Sequence, residues 1–117
     1  MTGPLDYTLC DQTVTVYHRS GNQIHRQVID GCFYSWKEVQ REDEFGIRRE
    51  TLCQLIVPGG ENRICIGDRV IEGIGPEIGD ADWSGFLPVQ VEGLAEINYV
   101  TPCYWEGTLC HKEAGRK

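Results

Sequence analysis

The sequence predicts an all-β domain, a small barrel or sandwich of seven or eight short strands with long loops. Three observations carry that expectation. Apolar and polar residues alternate with the period of two that sends successive side chains to opposite faces of a strand. Turn residues interrupt the alternation about every ten positions, a spacing that suits barrels and sandwiches. Glycine is abundant, 14 in 117 residues, while Ala is rare and no segment shows an amphipathic helix of three turns.

Residues 13–18 place Val14 and Val16 on one face and Thr13, Thr15 and Tyr17 on the other. Ser20, Gly21 and Asn22 supply turn chemistry, because Gly and Asn tolerate positive φ. Residues 23–30 continue as a second strand with Ile24 and Val28 in phase. Beyond Gly31, residues 32–39 align Cys32, Tyr34 and Trp36. Residues 51–57 align Cys53, Leu55 and Val57, and Pro58, Gly59 and Gly60 stop the run. Residues 63–66 are short and apolar and lead through the turn pair Gly67 and Asp68 into residues 69–72, which end at Gly73. Between 74 and 88 the period disappears among Gly75, Pro76, Gly79, Gly85 and several acids, so this stretch reads as a loop. Residues 89–91 and 96–101 read as later strands with a short helical turn between them, and 113–117 as a frayed tail. Nothing divides the chain, so the expectation is one β-barrel domain over 1–117 with a short flexible N-terminus and a C-terminal tail.

Composition narrows the function. Acids outnumber Lys and Arg by 18 to 11, for a net charge of −7. Sequence-tolerant clamping of DNA or RNA needs surplus cations, so the chain is expected to repel a polyphosphate rather than grip it. Residues 1–6 carry neither a basic stretch nor an apolar one, so the expectation is no signal-driven secretion and reduced thiols. The alternative for the six cysteines (Cys10, Cys32, Cys53, Cys65, Cys103, Cys110) is three disulfides with fifteen connectivities.

Reactive constellations are weak. Zinc sites favour closely spaced ligand pairs, and no C-x-x-C occurs. The nearest approaches are Cys103 with Cys110 and His111, and His18 with His25 facing each other across a hairpin. Cys53 and Cys65 read as small core hydrophobes. No Cys or Ser lies in a sharp glycine-flanked elbow, and Cys32 precedes a strand rather than a helix. The acids of Glu42, Asp43 and Glu44, and of Glu77, Asp80 and Asp82, read as solvated. Asp68 is expected to bond the amides of its own turn. The expectation is therefore no catalytic residue, no cofactor and no metal, hence no enzyme.

The most unusual segment is 40–50, QREDEFGIRRE. It sets Arg41, Glu42, Asp43, Glu44, Arg48 and Arg49 around Phe45, Gly46 and Ile47, between two apolar strands. Two readings stand: a charged hairpin tip in solvent, or an arm that packs against a copy of the same chain.

The order of these features resembles a known family. Thr15-Val16-Tyr17 leads to a turn, then to Arg26-x-Val28-Ile29-x-Gly31-x-Phe33-Tyr34-x-Trp36. After the excursion containing Gly46 come Leu55-Ile56-Val57-Pro58 and Ile64-x-x-Gly67-Asp68-x-Val70-Ile71-x-Gly73, with Tyr99-Val100-Thr101 and His111 closing the series. Over residues 7–111 this is similar to the small head-completion, or stopper, proteins of the head-to-tail connector (neck) in long-tailed bacteriophages. The resemblance implies a small β-barrel in a virion, made in the host cytoplasm and assembled as a dodecameric ring beneath the portal and its adaptor. The ring closes the DNA channel without binding DNA specifically and docks tail or tail-terminator proteins. The resemblance also implies that 40–50 projects into the channel or toward a neighbouring subunit. The rival expectations are a neighbouring neck or tail-terminator protein, and a small metal- or disulfide-stabilised binding module.

Overall fold

A computed structural model describes residues 10–59, 62–88 and 90–116. The readings made above for residues 1–9, Gly60, Val89 and Lys117 lie outside them. The fold is mostly β, as expected. Its strands are β1 (Gln12–Ser20), β2 (Gln23–Asp43), β3 (Gly46–Pro58), β4 (Arg69–Glu72), β5 (Ala95–Glu96), β6 (Tyr99–Trp105) and β7 (Thr108–Arg116). They form one antiparallel sheet in the order β5-β4-β1-β2-β3-β7-β6.

The expected closed barrel is not formed. β5 and β6 are the two ends of the ladder and have no ladder between them. They follow each other in the chain across Ile97 and Asn98, so the sheet curls back on itself around one core without a ladder closing it among the described residues. Ile97 turns into that core at 1% exposure, and its amide donates to the Asp68 carbonyl at 2.8 Å. Val14, Val16, Ile29, Leu55, Val57, Val70 and Ala114 pack with it, one or more from each of β1, β2, β3, β4 and β7. Burying each large aliphatic side chain contributes about 1.5–3 kcal/mol, so the curl is held by hydrophobic contact and not by a closing ladder.

A β-bulge sets the phase of β2. Gln12 pairs with Cys32, but Val14 pairs with Ile29, so two residues of β1 span three of β2. Gly31, at φ 72°, supplies the left-handed residue that a bulge of this kind uses. The extra residue puts Ile29 and Cys32, three apart, on the same buried face. Ile24 and Val28 are in phase with each other, as expected, and lie on the opposite face of the sheet, where Ile24 packs inward and Val28 is 38% exposed.

That opposite face carries a second, smaller core. Tyr17, Phe86 and Leu94 are buried there, with Ile24, Ile71, Ile78, Trp83 and Val91 against them. The aperiodic stretch after β4 is thus an ordered cover containing a short 3-10 helix, Asp80–Gly85. Polar anchors hold it down. The Thr15 hydroxyl donates to the Gly73 carbonyl at 2.7 Å and accepts from the Gly75 amide at 2.9 Å. The Tyr17 hydroxyl donates to the Pro76 carbonyl at 2.6 Å. Arg69, 7% exposed, donates through Nη1 to the carbonyls of Trp83 at 2.5 Å and Phe86 at 2.6 Å. Its guanidinium lies 3.7 Å from the Trp83 ring centroid.

Three further expectations change. Residues 63–66 form no strand, and 90 and 91 of the expected strand 89–91 lie in turn and bend. The segment read as a frayed tail is the end of β7, a central strand paired to β3 on one side and β6 on the other. Its Gly115 permits the close approach: a Cβ there would lie 2.1 Å from the Cys53 carbonyl oxygen.

Candidate functional site

The long strands β2 and β3 remain paired well beyond the core. Val39 pairs with Glu50, Gln40 with Arg49, Arg41 with Arg48, Glu42 with Ile47 and Asp43 with Gly46, and Glu44 and Phe45 turn the corner. These five pairs extend about 15 Å. The molecule measures 46 × 34 × 22 Å, with a radius of gyration of 15.1 Å. A compact chain of this length would have a radius of about 13.4 Å, and a projecting arm adds to the radius.

The two faces of the arm differ chemically. One carries Arg41 directly opposite Arg48, an unfavourable like-charge pair. Each arginine resolves it diagonally: Arg41 pairs with Glu50, and Arg48 Nε lies 3.0 Å from Asp43 Oδ2. The Phe45 amide donates to Asp43 Oδ1 at 2.8 Å, which fixes the turn. The second face continues the side of β2 and β3 that inside the body carries Tyr34, Trp36, Cys53 and Leu55. On the arm that face carries Gln40, Glu42, Ile47 and Arg49. Ile47 is 69% exposed, and Phe45 at the tip is 88% exposed. The structure therefore gathers Arg41, Glu42, Asp43, Glu44, Phe45, Gly46, Ile47, Arg48 and Arg49 into one hairpin. Their charges are largely matched within it, and their two large apolar side chains stand in water.

Gly67 and Asp68 form the expected turn, with Gly67 at φ 95°. Asp68, 2% exposed, accepts from the Cys65 amide at 2.9 Å through Oδ2, as its turn position foretold. The Gly67 amide donates to the Ile97 carbonyl at 2.8 Å, which ties this corner to the link between β5 and β6. Sequence reasoning missed the second partner of Asp68: its Oδ1 meets His18 Nδ1 at 2.6 Å. Fifty residues separate the pair, and no local spacing signals it.

Cys32, Cys53, Cys65, Cys103 and Cys110 are not joined in disulfides. Burial pushes the Cys32 thiol up to about 11, helped by the nearby Cys10 and Asp30. Burial likewise raises Cys53. Both are stabilised as neutral core groups, unlike the low-pKa thiolates of nucleophilic sites. Comparison with protein-family models, with curated proteins and with solved structures returns no match.

Proposed function

We propose that the protein is a structural assembly subunit that associates with copies of itself through the arm formed by β2 and β3. In this reading it acts as a ring-forming connector at the head-to-tail junction of a tailed phage. The observation that carries the reading is the pair Phe45 and Ile47, exposed at 88% and 69% on a hairpin whose ion pairs are satisfied internally. A hairpin built only for solvation has no reason to spend its tip on two large apolar side chains, whereas an interface core is enriched in them. The end strands β5 and β6, which carry no further ladder among the described residues, offer a second kind of contact. The net charge of −7 suits a channel wall that must let DNA pass.

In a ring, each subunit's arm lies on a different surface of its neighbour, a head-to-tail contact that closes by rotation. No chemistry is needed, and the work is mechanical. The test is sedimentation velocity at high protein concentration, followed by imaging of the protein mixed with portal rings. Closed oligomers that seat on portal rings support the reading. A monomer at all concentrations that ignores portal rings contradicts it.

A further inference from the structure

The turn at Gly67 and Asp68 brings together donors that the assembly reading leaves unused. One ligand atom from each of His18, Cys65 and Asp68 lies within 4.8 Å of the other two. His18 ends the core-facing row of β1, and across the hairpin it pairs in register with His25. The two imidazoles stack with centroids 6.3 Å apart and planes 30° from parallel. They line a groove of about 270 Å³ with Val16, Ser20, Gln27 and Arg63. Asp68 is held by the Cys65 amide, so the carboxylate and the thiol-bearing residue are fixed relative to each other.

We propose that His18, His25, Cys65 and Asp68 form a binding site for one divalent cation of the zinc class. The donor set selects the ion: thiolate and imidazole together favour zinc and its late first-row neighbours over magnesium or calcium, which prefer oxygen. Tetrahedral bonds of about 2.0–2.3 Å put ligand atoms roughly 3.3–3.8 Å apart, which small side-chain rotations reach from the present geometry. His18 and Asp68 now share a hydrogen bond at 2.6 Å. Metal entry exchanges it for two coordinate bonds and separates the pair by under about 1 Å. Rings whose nitrogens bind one ion have centroids about 5 Å apart, so His25 must both close in by roughly 1 Å and turn out of its stacked pose with His18, aiming a ring nitrogen at the ion, to supply the fourth ligand. The thiolate and carboxylate together neutralise the charge of the divalent ion. The site would clamp the β1–β2 hairpin to the corner before β4, and it stands independently of the assembly reading.

Chelator-treated, reduced protein is titrated with Co(II) and then with Zn(II), following the thiolate-to-cobalt charge-transfer band. One equivalent of Co(II) should bind, with the band abolished by Cys65→Ser and retained in the double variant Cys103→Ser/Cys110→Ser. His18→Gln should weaken binding by more than about 100-fold, beyond the 10–100-fold typical of losing an outer hydrogen-bond partner. His25→Ala, at an exposed hairpin position, should weaken it with the fold intact. In the unmutated protein Zn(II) should shield Cys65 from alkylation, which keeps the test valid if Cys65→Ser fails to fold. Absence of saturable binding overturns the proposal. So does a band that survives Cys65→Ser, or protection that falls on Cys103 or Cys110 instead.

Discussion

Replacing Gly115 with Ala tests how tightly β7 is wedged into the sheet. The added Cβ would lie 2.1 Å from the Cys53 carbonyl oxygen and 2.9 Å from the Cys53 carbonyl carbon, with the Tyr99 ring at 3.2 Å. The first contact is more than about 1 Å short of van der Waals separation. The obstacle is backbone of β3, which no rotamer change can move aside, so the two strands must part locally. Overpacking of this kind costs about 1–3 kcal/mol, and a weakened ladder bond adds about 1 kcal/mol. The expected loss is therefore about 2–4 kcal/mol, or a Tm lower by roughly 8–16 °C for a domain of this size. Urea and thermal unfolding followed by circular dichroism read it directly, with Thr108→Ala, an exposed position on the same strand, as a control within about 0.5 kcal/mol. A Gly115→Ala protein that melts within about 3 °C of the parent would refute the close packing of β7 on β3.

Arg69→Met should release the cover over the second core. It removes the donors held by Trp83 and Phe86 and should cost about 2–3 kcal/mol, with hydrogen exchange accelerating in 74–94 before it does in β1 or β3. Stability should also fall at alkaline pH. Cys32 has an ordinary value of 9.0 and rises to about 11 in the fold, so the unfolded chain gives up its proton first. The stabilisation from the neutral buried thiol is complete below pH 9 and is lost as the pH rises to about 11; in Cys32→Ala, denaturant midpoints should fall less over the same window. Phe45→Ser and Ile47→Ser should leave the unfolding midpoint of the isolated chain within about 0.5 kcal/mol while reducing self-association, and a large loss of stability would place both side chains in the fold instead of at an interface.

Much of this architecture is legible in the amino-acid order, and the exceptions share physical causes. The alternation in 13–18 and 51–57 specifies β1 and β3 because each carries an apolar row on the main-core face, Val14 with Val16 and Cys53 with Leu55 and Val57, although β1 also buries Thr15 and Tyr17 on its other face. β2 misleads because the bulge at Gly31 reverses its phase, which no simple period-two count can follow. β7 is invisible because its buried residues are His111, Ala114 and Gly115, chosen to fit between β3 and β6 and carrying little hydrophobic signal. That β5 and β6, joined across Ile97 and Asn98, form no ladder with each other is a long-range outcome that period-two patterning does not encode. The arm could be located from its charge density and central Phe45-Gly46-Ile47, yet its division into an ion-paired face and an apolar-tipped face follows from strand register. The meeting of His18, Cys65 and Asp68 depends on the pairing of β1 with β4, a long-range fact that local spacing does not encode.

Self-association through the arm is tested most directly by hydrogen exchange of the unmutated protein at low and high concentration. If copies of the chain meet there, amides of 39–50 exchange more slowly as concentration rises, while those of the core strands are unchanged, and Phe45→Ser abolishes the difference. Exchange in 39–50 that is the same at every concentration would contradict the account.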